Sequence, residues 1–168
     1  MGRLLILAVA VCSALGSPAM ASDGESSLSL SASYGTYIKG ETSPDGGVLG
    51  IAFERGFSRA LAWRVNGGVG LYRGAGQTSY SGHATAGFTY LLDVLKYVPY
   101  VEAGIGGIVI AAGEDGTSVA PLVQGALGLD ILRSRTFSYG VRIDFETLFQ
   151  GTSFFTAGVR ATWRWGFF

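Results

Sequence analysis

Residues 155–167 alternate apolar and polar side chains without a break. One set reads Phe155, Ala157, Val159, Ala161, Trp163, Trp165 and Phe167; the other reads Thr156, Gly158, Arg160, Thr162, Arg164 and Gly166. Successive side chains point to opposite sides in a strand, whereas a helix would scatter both sets around its axis. The segment before it behaves alike. Phe137, Tyr139, Val141, Ile143 and Phe145 alternate with Ser138, Gly140, Arg142 and Asp144. Near the start, Leu28, Leu30, Ala32, Tyr34 and Ile38 alternate with Ser27, Ser29, Ser31, Ser33 and Gly35. Further strands are expected at 47–57, 62–73, 80–92, 98–111 and 119–132. Alternation is weakest in 98–111, where Ile108 and Ile110 fall on the face of Glu102. Pro99 and Pro121 fall near strand starts, where a missing amide donor is tolerated. The expectation is an all-β chain of eight antiparallel strands.

The first residues follow another rule. Arg3, the apolar run Leu4 to Val11 and the small-x-small triplet Ala19-Met20-Ala21 predict a cleaved signal peptide over 1–21. The barrel-forming part is then 22–168. The apolar run is too short to span a bilayer as a helix. Cys12 follows Val11, where lipid-attachment sites prefer a small residue, so lipidation is not expected. Without Cys12 the mature chain has no cysteine, which excludes disulfides and thiolate chemistry there. Arg3 is the leader's one charge, leaving 11 basic and 12 acidic residues in the mature part. Nothing in that balance asks for a nucleic acid. The chain is nonetheless apolar, with 48% hydrophobic and 14% charged residues and a mean hydropathy of +0.36. A secreted, apolar, glycine-rich chain without apolar helices has the composition of a membrane barrel.

In such a barrel the apolar face meets lipid and the polar face fills the interior. Two features point to this sense. Small residues dominate the polar face: Gly35, Gly50, Gly68, Gly70, Gly87, Gly104, Gly106, Gly128, Gly140 and Gly158. An eight-stranded barrel is just wide enough to be filled by side chains, so glycines there leave room for a few large ones. Aromatic residues on the apolar face also gather at strand ends. Phe57, Trp63, Tyr90, Phe137, Tyr139, Trp163, Trp165 and Phe167 form one girdle; Tyr80, Phe149 and Phe155 lie at the other end. Polar connections at 39–46, 74–79, 112–118 and 150–153 are expected outside, and tighter turns near 58–61, 93–97 and 133–135 in the periplasm. A soluble sandwich or lipocalin-like barrel, with the same aromatics in its core, is the alternative.

The C-terminus, Trp163-Arg-Trp-Gly-Phe-Phe168, carries the most specific signal. With the alternation and the girdles, it makes the chain resemble the small eight-stranded outer-membrane proteins of Gram-negative bacteria, the OmpA-transmembrane-domain, OmpX and opacity-protein-like class. The resemblance covers the mature chain and rests on architecture. It implies an up-and-down transmembrane β-barrel that is monomeric and surrounded by outer-membrane lipids and lipopolysaccharide. It also implies that Trp165, Phe167 and Phe168 are read by the barrel-assembly machinery. Phe168 falls one residue out of step with Trp163, Trp165 and Phe167.

The interior phase holds Glu54, Arg64, Glu102, Asp130, Arg142, Asp144, Glu146, Arg160 and Arg164, with His83. A near-balanced set in a narrow interior should pair off, because an unpaired charge away from water is costly. Centring the last hairpin near Gly151–Thr152 sets Asp144 opposite Arg160, with Arg142 and Glu146 diagonal to it. Glu54 and Arg64 join from the first periplasmic hairpin. This salt-bridged plug predicts a non-enzymatic barrel in a structural or surface-exposed role, needing no cofactor or metal. The same charges also fit a narrow pore for ions or small solutes. A third reading is a lipid A-modifying enzyme. The lipid-A deacylase type carries a His-x-Ser pair near the outer rim, facing lipid. Here Ser81-Gly82-His83 is reversed and in the interior phase, with Glu102 too far toward the periplasm to orient the imidazole. No catalytic residue is therefore assigned. Gly104-Ile105-Gly106-Gly107 lacks the strand–turn–helix setting of a phosphate loop. Glu114-Asp115 reads as a solvated turn. Lys39, Arg55 and Arg73 flank the apolar band, within reach of lipid phosphates.

Overall fold

A computed structural model describes residues 24–38, 43–74, 77–92, 96–112, 116–149 and 151–166. The signal-peptide reading, Cys12, Lys39, Glu114, Asp115, Phe167 and Phe168 lie outside them. Eight strands form: β1 (Ser26–Ile38), β2 (Asp45–Gly56), β3 (Leu61–Gly74), β4 (Gln77–Leu91), β5 (Tyr97–Ala112), β6 (Gly116–Leu132), β7 (Phe137–Leu148) and β8 (Ser153–Trp165). Each pairs antiparallel with its neighbours in sequence, and β1 pairs with β8, which closes the barrel. Among the described residues no helix is long and apolar enough to cross a membrane.

Closure follows from the alternation, since it leaves no strand edge unpaired around the ring. The strands run 12 to 17 residues. A tilted strand needs only about 9–11 to cross the hydrocarbon, so both rims project beyond it. The strands outrun the sequence expectation at the outer end. Only 75–76 separate β3 from β4, and 113–115 separate β5 from β6. Little loop remains outside. Pro121 is corrected in position: it is the sixth residue of β6, not at its start. It sits where β7 no longer pairs, since the β6–β7 ladder begins at Leu122–Leu148. No ladder bond toward β7 is lost there.

The faces have the membrane sense. Leu49, Ile51, Val69, Ile105, Val119 and Val159 are exposed on the outside, whereas Glu54, Arg64, Glu102, Asp130, Arg142 and Arg160 are buried inside. Water would favour the opposite arrangement; hydrocarbon favours this one. Aromatic contacts brace one end of the outer surface. Phe53 lies 5.3 Å from Trp63 and 6.2 Å from Trp165 between ring centroids. Phe57 meets Phe88 at 6.0 Å and Phe137 meets Trp163 at 5.4 Å. Tyr90, Tyr139 and Trp165 face outward nearby. This end carries the turns 57–60, 92–96 and 133–136 and both ends of the described chain, Gly24 and Gly166, and is taken as the periplasmic end, where both termini of an even-stranded barrel are expected.

Candidate functional site: the filled lumen

The lumen holds two unlike layers. The periplasmic and middle part is ionic. Arg160 reaches Asp130 through Nε at 2.9 Å and through Nη2 at 2.9 Å, a two-pronged pair. Its Nη1 also donates to Glu102 at 3.1 Å, and its guanidinium lies 3.7 Å from the centre of the Tyr100 ring. Glu102 gathers two more arginines, Arg64 at 2.9 Å and Arg142 at 2.9 Å. Arg64 also pairs with Glu54, opposite it in the β2–β3 register, and Arg142 with Asp144 on its own strand. Below them Arg164 bridges Asp130 at 3.3 Å and Glu25 at 3.5 Å. Desolvation of so many charges is costly, and it is offset only because each guanidinium meets more than one acceptor.

Two glycines make the close packing possible. A Cβ on Gly128 would fall 2.1 Å from Cζ of Tyr100, so Gly128 gives the ring the space from which it meets Arg160. A Cβ on Gly68 would fall 2.6 Å from Cε1 of His83, so Gly68 admits the imidazole. The largest ionic-layer side chains, Arg64, Tyr100, Arg142 and Arg160, come from β3, β5, β7 and β8. Across from them β1 and β2 present Ser29, Ser31, Ser33, Gly50 and Ala52, which leave a cavity of about 30 Å³. That is room for one or two water molecules.

The outer part of the lumen is apolar. Tyr72, Ile108, Ala120, Leu122, Leu148 and Phe154 form a buried cluster, with Val48 and Ile110 against it. Tyr72 and Phe154 pack at 5.8 Å between centroids. Ile108 and Ile110, which weaken the alternation of β5, are there to build this cap. Between cap and ionic layer lies a neutral belt. Gln124 accepts from Asn66 at 3.0 Å and from Thr85 at 2.7 Å, and donates to Asp144 at 3.2 Å.

Three sequence expectations are corrected. Arg160 stands opposite Gly140, and Asp144 opposite Thr156. The turn is tighter than expected: Gly151, at φ 84°, donates to the Leu148 carbonyl and Leu148 donates to Thr152, which centres the hairpin on residue 150. Arg160 is thereby set four residues away from Asp144 and takes Asp130 instead. Second, Glu146 has no arginine partner among the described residues. It lies 3.4 Å from the Gln124 amide and 3.8 Å from Nε2 of His83. Third, and by the same contact, His83 does have an acid beside it; it is Glu146, reached across the lumen from β7. Asp130 carried an interior phase in the sequence but no assigned partner. The signal for it is the two arginines of β8, Arg160 and Arg164, on a strand without an acid of its own; that the acid comes from β6 is visible only in the structure.

No family model matches the chain, and no curated protein matches it in sequence. Solved structures do. Neisserial surface protein A is similar at 14% identity, covering 82% of this chain and 98% of that one, with a TM-score of 0.66. The chain has the fold of the small outer-membrane barrels. Ail, the attachment invasion locus protein of Yersinia pestis, is similar at 15% identity over 86% of this chain and all (100%) of its own, TM-score 0.60. The outer membrane enzyme PagL is similar at 19% identity over 80% and 97%, TM-score 0.57. The fold therefore hosts both an enzyme and proteins of other description, and function has to be argued from the lumen and the rims.

Proposed function

We propose that this protein is a non-enzymatic outer-membrane barrel with a plugged lumen, structural or surface-exposed in role and monomeric among outer-membrane lipids. The carrying observation is the double filling: an ionic layer and an apolar cap in series, with a cavity of about 30 Å³ beside the β1–β2 wall. A hydrated ion needs a continuous wet path. The apolar cap denies it one at the outer mouth, and the multiply bonded arginines deny it one below. The girdle residues Phe57, Trp63, Tyr90, Phe137, Tyr139, Trp163 and Trp165 anchor the barrel at the headgroups. Trp165, with Phe167 and Phe168 beyond it, is the segment offered to the barrel-assembly machinery.

A lipid-modifying role fits the geometry less well. Ser81 is buried in the lumen and His83 lines its cavity, while a lipid chain lies outside the wall. Single-channel recording in a planar bilayer tests the proposal. The expected result is a silent bilayer, with folding verified by heat-modifiable gel mobility. Steady openings whose ion selectivity changes in Arg160→Ala or Asp144→Ala would overturn it in favour of a pore. A changed lipid A mass in expressing cells, lost on His83→Ala, would overturn it in favour of an enzyme.

A further inference from the structure

The charges outside the lumen are sorted between the two rims. Every described periplasmic turn carries a cation: Arg59 between β2 and β3, Lys96 between β4 and β5, and Arg133 and Arg135 between β6 and β7. All four are exposed, as is Arg55 at the end of β2. None of the five has an ion-pair partner among the described residues. In sequence this end also carries Asp23 and Asp93, and Glu25 is engaged by Arg164, so its cations outnumber its acids. The contrast with the lumen is sharp, where Arg64, Arg142, Arg160 and Arg164 are all held by carboxylates. The outer rim differs. Its described charges, Asp45 and Arg73, stand opposite one another in the β2–β3 register. The outer connections add Lys39 but also Glu41, Glu114 and Asp115 in sequence, so composition does not make that end basic.

Arg55 shows what the basic rim faces. It lies in the lipid-facing phase and pairs with Trp63 on one side and with Ser26 on the other; Ser26 in turn stands opposite Trp165. The two tryptophans and Phe53 form an aromatic patch, and Arg55 stands beside it in the strand register, exposed on the same outer face. A long cationic side chain in that position extends toward the interface. The cations also encircle the barrel, on three turns that are spread around the ring. A soluble acidic partner would dock on one side of such a ring. Lipid headgroups of the periplasmic leaflet surround it.

We propose that the periplasmic rim is a binding surface for anionic glycerophospholipid, through Arg55, Arg59, Lys96, Arg133 and Arg135 acting on lipid phosphates. The inference rests on membrane insertion and stands whether or not the lumen conducts. It makes the rim selective for the leaflet opposite to the one that holds lipopolysaccharide.

The test uses the full chain, expressed in a Gram-negative host, extracted and placed in nanodiscs containing equal phosphatidylcholine and phosphatidylglycerol. Lipids retained on the barrel are counted by native mass spectrometry. Phosphatidylglycerol should be retained over phosphatidylcholine, by about fivefold for a lipid seated on one rim cation. The preference should weaken in high salt. It should vanish in Arg55→Gln/Arg59→Gln/Arg133→Gln/Arg135→Gln and persist in Arg73→Gln and in the fourfold Arg→Lys variant. If the fourfold glutamine variant fails to fold, Arg133→Gln/Arg135→Gln on a turn tip alone should lower retention. Equal retention of the two lipids by the native chain would overturn the proposal. So would a preference unchanged by the rim substitutions, or retention of added lipopolysaccharide lost on Arg73→Gln with no phosphatidylglycerol preference. An acidic protein that binds through the same arginines while lipid retention stays unchanged would also overturn it.

Discussion

The ionic layer and the apolar cap fill the same lumen by opposite means. Below, Arg160, Asp130, Glu102, Arg64 and Glu54 are fixed by direction and charge; above, Tyr72, Leu122, Leu148 and Phe154 are fixed by shape alone. Both are buried, so both exclude water. They differ in what happens when one member is removed. An ionic layer that loses an acid keeps an uncompensated guanidinium in a dry interior. A cap that loses a methyl keeps only a void, which neighbours partly refill.

The largest effect is therefore expected at Asp130, which accepts from Arg160 twice and from Arg164. Asp130→Ala should cost roughly 3–5 kcal/mol, the range for breaking a buried pair from one side. Urea unfolding of the protein refolded in lipid vesicles, followed by tryptophan fluorescence, measures this. A cost below that of a surface substitution would mean that water reaches Arg160, and that the ionic layer is wetter than its contacts indicate.

Phe154→Ala tests the other region. It removes a buried ring that packs on Tyr72, and the expected loss is about 3 kcal/mol, the low end for a phenylalanine truncated in a core. The same variant sharpens the functional comparison. If the ionic layer alone closes the lumen, Phe154→Ala remains silent in a planar bilayer despite its lower stability. Openings in this variant, with none in the native chain, would locate the barrier in the cap.

The two regions were not equally legible in the sequence. The interior phase of Arg142, Asp144, Arg160 and Arg164 follows from a strict two-residue period, and so does the eight-strand count. The cap was hidden because Ile108, Ile110, Leu122 and Phe154 are apolar residues on the inward face, where the period leads one to expect polar ones. Phe154 also precedes the run that made β8 so clear. Pairing was less accessible than facing. The hairpin turns two residues earlier than an Asp144–Arg160 pairing requires, which moves every partner on β8 by four positions and leaves Asp130, not Asp144, to hold Arg160. The same shift removes Glu146 from its expected place diagonal to Arg160 and sets it opposite Phe154. Side-chain reach across a lumen, from β7 to His83 on β4, has no sequence signature.

That last contact provides the smallest of the expected effects. Glu146 meets the Gln124 amide at 3.4 Å and His83 Nε2 at 3.8 Å, and among the described residues no guanidinium holds it. Glutamine keeps its shape and one carbonyl acceptor while removing the charge. Glu146→Gln should thus change stability by less than about 1 kcal/mol, the net worth of a neutral hydrogen bond. Glu102→Gln, which leaves Arg64, Arg142 and Arg160 short of a shared acid, should cost several times more. The two variants differ by the same atoms, so comparing their urea midpoints isolates the arginine contacts. Equal losses would mean that negative charge anywhere in the lumen stabilises the arginines, and that the ionic layer extends through the neutral belt to the foot of the cap. A small loss at Glu146 beside a large one at Glu102 would place the boundary between the two regions at Gln124.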